Sequence, residues 1–186
     1  MDKYVVSGLR IVDIRWYVQK LRKLLILSDC EYVNVVKILD RISKILSNIG
    51  IPFNYVIKED DDPIFEKNEE AFTDMKTGII YFKESVIEKA CKKRYQRSSF
   101  TIAHELGHYF LHYLNEDVKL CRILNDTVVP AYKDPEWQAD TLAAEFLMPF
   151  EQCKNMEIEE IRKTYHVTRK AATTRKEKII KELKKV

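Results

Sequence analysis

The chain carries the sequence FTIAHELGHYFLH at residues 100–112, which contains the pattern His-Glu-x-x-His. His104 and His108 are four positions apart, so on a helix they lie on one face with Cβ atoms about 6 Å apart, and both imidazoles can bind one ion. Zinc accepts imidazole nitrogen and prefers four ligands arranged as a tetrahedron. Glu105 points to the side where a zinc-bound water would lie, so we predict that it is the general base and not a ligand.

A catalytic zinc site needs a third protein ligand and an open fourth position. His112 continues the spacing of four, but on a straight helix it lies a further turn, about 6 Å, beyond His108. It would therefore have trouble reaching a metal that His104 and His108 already hold. The alternative in which a glycine bend brings a third histidine to the metal fails, because no glycine follows His108 in this stretch and position 114 is Leu. An acidic residue on a second helix therefore remains as the third ligand.

That second helix is predicted to begin at Asp134-Pro135, with Asp as N-cap and Pro at the first helical position, and to end before Pro149. Glu136 and Asp140 lie four residues apart on one of its faces. We predict that Glu136 is the third metal ligand and that Asp140 accepts the free N–H of a ligand histidine, His104.

The first motif helix is predicted over residues 98–115, starting at one of two serines. The second helix carries three small residues, Ala139, Ala143 and Ala144. They predict that the second helix packs closely against Gly107 of the first. The donor that would stabilise the oxyanion of a peptidase reaction stays open at this stage among four side chains: Tyr109, His112, Tyr113 and Tyr132.

The rest of the chain predicts a small sheet and further helices. Residues 1–50 indicate a helical hairpin whose second helix starts at the capping box Ser28–Glu31. Residues 53–57 alternate as a strand does, and the stretches 71–73 and 79–82 predict a β-hairpin. An acidic loop at residues 59–63 follows the strand at residues 53–57. A capping box at Ser85 predicts a short helix to about Arg94. All of these elements belong to a predicted unit spanning residues 51–150. The predicted fold class is α+β and mostly helical.

Composition excludes several classes of protein. With 46% hydrophobic residues the chain can bury a core, and with only 4 Gly and 5 Pro it is neither collagen-like nor low in complexity. The N-terminus shows no secretory signal and no stretch is apolar enough to span a membrane, so we expect a cytoplasmic protein. Its four cysteines are far apart, which favours reduced and mostly buried thiols.

The net charge of +3 hides an uneven distribution. Residues 162–186 hold 10 Lys or Arg and 2 Glu, a net of +8, whereas residues 1–161 carry a net of −5. Residues 157–165 and 169–184 predict two helices joined by a turn with Thr168 as cap, an arrangement like a helix-turn-helix over the segment 151–186. This segment could bind a nucleic-acid backbone, dock a protein substrate, or be a solvated terminal helix.

Two sequence blocks resemble those of the ImmA/IrrE family of metallopeptidases. The first is the stretch at residues 100–112, and the second combines Glu136-x-x-Ala139-Asp140 with the sequence AAEFLMP at residues 143–149. Both blocks occur together, in this order, in that family. The resemblance is strong over residues 53–150 and weaker from there to the end, while the first fifty residues contribute nothing to it.

The resemblance implies a minimal zincin-like peptidase domain that binds one zinc ion through His104, His108 and Glu136, with Glu105 as the base. It also implies a substrate class, the helix-turn-helix transcriptional repressors of mobile elements or stress regulons. The competing hypothesis is a regulator that keeps the fold and acts by binding DNA or a partner protein without proteolysis.

Overall fold

The computed structural model describes residues 3–29, 31–92, 96–115, 121–123 and 128–184 of the 186-residue chain. The elements follow one another as β1 (Lys3–Val5), α1 (Ile11–Leu24), α2 (Val35–Asn48), β2 (Asn54–Lys58), β3 (Ala71–Thr73), β4 (Ile79–Lys83), α3 (Glu84–Ala90), α4 (Gln96–His108), a π-helical turn (Tyr109–Tyr113), β5 (Cys121–Ile123), a 3-10 turn (Ala131–Lys133), α5 (Pro135–Leu147), α6 (Phe150–Cys153), α7 (Ile158–Thr164) and α8 (Arg169–Leu183). The predicted class, α+β and mostly helical, is confirmed.

The larger sheet has three strands in the order β2-β4-β3. β4 runs parallel to β2 and antiparallel to β3, with Thr73 opposite Ile80. The predicted strand at residues 53–57 and the predicted hairpin are therefore confirmed. A second, antiparallel pair, β1 with β5, was not expected from the sequence, because each of its strands is only three residues long.

The central packing of the molecule joins α4 to α5, and α4 also contacts β3. α1 packs against α5, whereas α2 packs against α3 and α4. The buried core therefore includes residues from the N-terminal helices, the sheet and both motif helices, among them Ile14, Leu39, Phe82, Leu106, Tyr109 and Phe146. The division of the chain at residues 50 and 150 stays a prediction.

Helices α4 and α5 approach each other most closely at Gly107. A Cβ atom at this position would lie 2.8 Å from Cα and 3.1 Å from the carbonyl oxygen of Ala139, closer than nonbonded atoms tolerate. The predicted close packing at Gly107 is thus confirmed. It brings the face of α4 that carries the two motif histidines against the N-terminal half of α5.

The N-cap of α5 is the predicted one, since Asp134 accepts a hydrogen bond from the backbone N–H of Glu136 at 3.0 Å. Thr168 likewise caps α8 as predicted. The predicted cap of α2 at Ser28 is wrong, because α2 begins later and is capped by Asn34. The backbone carbonyl of Ser28 instead accepts a hydrogen bond from the buried guanidinium of Arg22, which holds this segment outside the helix.

The predicted start of α3 at the Ser85 capping box is also wrong. α3 begins at Glu84, directly after β4, and the side chain of Asp60 accepts a hydrogen bond from the backbone N–H of Ser85 at 3.0 Å. Asp60, which lies in the acidic loop and is distant in sequence, therefore caps this helix in place of a local residue. The helix ends at Ala90, and the predicted end near Arg94 lies outside the described residues.

A buried ionic cluster links three helices near the end of α5. The carboxylate of Glu145 lies 3.1 Å from Arg15 Nη2 and 2.8 Å from Arg175 Nη2, the latter in an ion pair whose geometry falls short of a hydrogen bond. Arg15 also makes a two-pronged pair with Glu182 of α8. The cluster, which we call the Glu145 cluster, therefore ties α1 and α8 to the C-terminal half of α5.

The described cysteines differ in their surroundings. Cys153 is a buried free thiol, as predicted, and burial raises its pKa to about 11. Cys91 is exposed, because it follows the last turn of α3 at the surface. Cys30 lies outside the described residues, and the side chain of Cys121 is not described.

No helix in the described part of the chain is long and apolar enough to cross a membrane. The longest, α8, has 15 residues and carries many charges. A bilayer-spanning helix needs about 20 predominantly apolar residues.

Candidate metal centre

Three side chains of α4 and α5 converge on one point. Within the described residues, His104, His108 and Glu136 form a group whose possible ligand atoms all lie within 4.8 Å of one another. His104 Nε2 lies 3.0 Å from His108 Nε2 and 3.2 Å from the carboxylate of Glu136, and His108 Nε2 lies 3.5 Å from that carboxylate. A tetrahedral zinc site with bonds of 2.0–2.1 Å has ligand–ligand separations of about 3.3 Å, so the spacing fits such an ion.

The chemistry of these three groups also fits a cation. His104 Nδ1 lies 2.9 Å from the carboxylate of Asp140, which only accepts hydrogen bonds, so this nitrogen carries a proton. The Nε2 lone pair of a neutral His104 then faces a carboxylate and a second imidazole nitrogen. Such a group of electron-rich atoms needs a positive charge between them, either a proton or a metal ion.

The protonation equilibria of the metal-free protein reflect this need. Burial opposes the charge on His104, but hydrogen bonds with Asp140 and Glu136 outweigh burial and raise the pKa of His104 to about 10. Hydrogen bonds from His104 and His108 hold the pKa of Glu136 well below its usual range. A proton therefore occupies the position that a metal ion would take, and the ion must displace it.

Asp140 lies against His104 Nδ1, on the side of the ring away from Nε2. Its side chain is half exposed, so water also reaches this carboxylate. The contact orients the imidazole ring and keeps the proton on its Nδ1.

Glu105 lies beside the group of three ligand candidates and is not one of its members. Its carboxylate is buried and lies 2.8 Å from the hydroxyl of Thr73, which is 3.2 Å from the backbone carbonyl of Glu105. Burial raises the pKa of Glu105, and the imidazoles of His108 and His104 counteract the increase only in part. A carboxylate with a raised pKa next to a metal site is suited to accept a proton.

His112 lies next to His108, on the side of that imidazole away from the other ligand candidates. Its Nδ1 lies 3.1 Å from His108 Nδ1, and its Nε2 lies 3.0 Å from Oε1 of Gln138. The π-helical turn that begins at Tyr109 replaces the straight helix assumed from the sequence. The spacing of four had drawn attention to His112, but no sequence signal indicated Gln138.

Two of the four candidate oxyanion donors are engaged elsewhere. The hydroxyl of Tyr109 donates to the backbone carbonyl of Pro52, and His112 is held between His108 and α5. The ring of Tyr113 stacks on Tyr109 with centroids 5.5 Å apart. Tyr132 is the most exposed of the three tyrosines. Within the described residues, no hydrogen bond joins Tyr113 or Tyr132 to the three ligand candidates, so neither is singled out as the donor.

In the basic segment, residues 151–186, some of the positive side chains are packed against the rest of the protein. Arg175 is buried and donates to the backbone carbonyl of Met148 at 2.9 Å, in addition to its pair with Glu145. Lys176 donates to the backbone carbonyls of residues 154 and 156. The positive charges of α8 and its C-cap that stay exposed are Arg169, Lys170, Lys178, Lys181 and Lys184.

Comparison with known proteins identifies a family. Residues 65–176, which include α4, α5 and most of the basic segment, match the Peptidase M78 family, described as the IrrE N-terminal-like domain. A search of curated proteins finds no match.

Proposed function

The chain belongs to the Peptidase M78 family, and from this premise we propose that it is a zinc-dependent endopeptidase that cleaves a regulatory protein in the cytoplasm. The proposed substrate is a helix-turn-helix transcriptional repressor, whose cleavage would release the genes it controls. The substrate class rests on the resemblance of the two sequence blocks to the ImmA/IrrE family, whereas the chemistry rests on the site.

The observation that carries the proposed chemistry is the convergence of His104, His108 and Glu136 within 4.8 Å, with Glu105 beside them. Two imidazoles and one carboxylate leave one position of a tetrahedral ion open for water or substrate. A closed structural zinc site would use four protein ligands, so a set of three favours catalysis.

The residues of the site divide the work of peptide hydrolysis. Bound zinc would lower the pKa of a water ligand toward 7 and polarise the scissile carbonyl. Glu105 would take a proton from the attacking water and deliver it to the leaving amine, for which its raised pKa is suited. The hydroxyl of Thr73 would hold the Glu105 carboxylate in place, and Asp140 would hold the ring of His104.

The sheet offers a place for the substrate backbone. β3 is an edge strand in the order β2-β4-β3, and its last residue, Thr73, contacts Glu105. An extended peptide can add to an edge strand through backbone hydrogen bonds, whatever its side chains. A substrate chain bound along β3 would therefore pass the base, which agrees with cleavage inside a chain.

The exposed positive charges of α8 are proposed to guide binding to an acidic partner, either the DNA to which a repressor is bound or the repressor itself. Reversing two of them, in a Lys170→Glu, Lys178→Glu double variant, should abolish any salt-dependent binding to duplex DNA. Lys37→Glu on the exposed face of α2 is the matched control. No binding of the wild-type protein to duplex DNA at low salt would eliminate the nucleic-acid version.

The proposed function is tested with the purified protein and candidate helix-turn-helix repressors, beginning with any that the neighbouring genes encode. Zinc-loaded protein should cut the repressor at one or a few sites, a chelator should stop cleavage, and added zinc should restore it. The competing regulator would bind the repressor or DNA and leave the repressor intact under all three conditions, which would overturn the proposed enzyme.

A further inference from the structure

Gln138 of α5 has no exposed surface, and its side-chain amide has one possible orientation. Its Nε2 donates to the backbone carbonyls of Ser7 at 2.9 Å and Tyr132 at 2.8 Å. Carbonyl oxygens only accept hydrogen bonds, so both amide hydrogens are used there. The amide oxygen must therefore face the opposite way, where it lies 3.0 Å from His112 Nε2.

This orientation determines where the proton of His112 lies. An amide oxygen only accepts, so His112 Nε2 must be the donor. A neutral imidazole that is protonated at Nε2 has a lone pair at Nδ1, and this lone pair faces His108 Nδ1 at 3.1 Å. His112 is buried, and its two nitrogens face the Gln138 amide and the His108 imidazole, neither of which is a carboxylate, so the ring is uncharged.

The position of the proton on His112 in turn determines the tautomer of His108. His108 Nδ1 must donate to the lone pair of His112, so the remaining lone pair of His108 lies at Nε2. That atom is the one directed at His104 Nε2 and at the carboxylate of Glu136. The opposite tautomer of His108 would place a second proton between the ligand atoms, in addition to the one that His104 holds in the metal-free protein, and a lone pair against the lone pair of His112.

We propose that Gln138 and His112 are positioning residues that fix the tautomer of His108 and direct its Nε2 lone pair to the metal. The two ligand histidines would then be held by different means, His104 by the carboxylate of Asp140 and His108 by a neutral chain of hydrogen bonds. The neutral chain sets the proton without adding another buried negative charge near Glu105. This inference rests on the proposed metal site.

The first test reads the tautomers directly, by long-range ¹H–¹⁵N correlation in the metal-free protein. The chain has 4 histidines, of which His166 is exposed and forms a T-shaped contact with the ring of Tyr32, so it serves as the internal reference. His112 should show a protonated Nε2 and an unprotonated Nδ1 at neutral pH. A protonated Nδ1 on His112 would reverse the chain and overturn the proposal.

The second test measures zinc affinity by competition with a chelator, in variants shown to be folded. His112→Leu removes the acceptor and should weaken zinc binding by about 10–100-fold, the usual effect of losing the partner of a ligand histidine. His112→Asn keeps an oxygen acceptor close to the position of Nδ1 and should recover most of that loss. His166→Asn, at a position whose φ of +52° asparagine tolerates, is the matched control.

The outcomes separate a hydrogen-bonding role from a packing role. Equal losses in the Leu and Asn variants would mean that His112 only fills space, and no loss in either would mean that it has no role, so both results would overturn the proposal. If the wild-type protein bound no zinc, the proposed function would fall, whereas the tautomers of the metal-free protein would still decide the proposed hydrogen-bond chain. Zinc binding without cleavage would likewise leave this inference standing.

Discussion

The two halves of α5 carry carboxylates in opposite environments. Near the N-terminus the side chain of Glu136 is 68% exposed and faces two imidazoles, whereas near the C-terminus that of Glu145 is 1% exposed and lies between two guanidinium groups. Imidazole binds or releases a proton near neutral pH and can bind a metal, but guanidinium does neither. The same residue type therefore faces groups that can exchange a proton in one half of the helix and permanently charged groups in the other.

Glu145→Gln tests the C-terminal half of α5 and should have the largest effect. It leaves the buried Arg175 and the partly buried Arg15 without their shared counter-charge, which should lower the free energy of unfolding by about 3–5 kcal/mol. Glu182→Gln, which removes a more exposed partner of Arg15, should cost less than about 1 kcal/mol. Chemical denaturation measures both, and equal values would show that burial does not distinguish these carboxylates.

Glu136→Gln tests the N-terminal half of α5. Loss of a residue that hydrogen-bonds to a metal ligand weakens metal binding by about 10–100-fold. Loss of a charged ligand itself should weaken zinc binding by at least about 100-fold and should stop cleavage. The free energy of unfolding of the metal-free protein should change by less than about 1 kcal/mol, because the side chain is mostly exposed. Unchanged zinc affinity would remove Glu136 from the ligand set.

Asp140→Ala should have a smaller effect on the same half. Without the carboxylate next to Nδ1 the ring of His104 loses its orientation, and zinc affinity should fall by about 10–100-fold. The same chelator competition measures this change, with Glu151→Gln on the exposed surface of α6 as the control. A wild-type affinity would show that the 2.9 Å contact in the structure does not support the metal.

The smallest expected effect is the release of protons when zinc binds. The pKa of His104 in the metal-free protein, about 10, exceeds its ordinary value of 6.5. The stabilisation from its charge is therefore complete below about pH 6.5 and is lost as the pH rises through 10. Zinc needs the neutral ring, so binding at pH 7 should release about one proton.

Calorimetry in two buffers of different ionisation enthalpy counts these protons. A binding enthalpy that does not depend on the buffer would contradict the raised pKa of His104. The Glu145→Gln variant is altered outside the metal group and should release the same number of protons as the wild type.

The sequence was sufficient for the local features of the site. The spacing of His104 and His108, the cap and proline that start α5, and the pairing of Asp140 with His104 each depend on neighbours along one helix or on the small residues where two helices meet. Such features follow from helix periodicity and capping chemistry, so they could be predicted.

Features that depend on distant partners were missed. Gln138 contacts His112 from another helix, and its amide is fixed by a backbone carbonyl of residue 7. The two wrong caps have the same origin, because Arg22 binds the carbonyl of Ser28 and Asp60 replaces the expected cap at Ser85. A capping motif predicts a helix start only where no tertiary partner takes its place.

The most direct test of the proposed peptidase compares zinc content and repressor cleavage in the Glu105→Gln variant. The variant keeps every proposed ligand and loses the proposed base, so it should retain one zinc ion per chain and lose cleavage almost completely. Glu177→Gln, on the exposed surface of α8, should match the wild type in both measurements. Cleavage by Glu105→Gln at the wild-type rate would contradict the assignment of the base and with it the proposed mechanism.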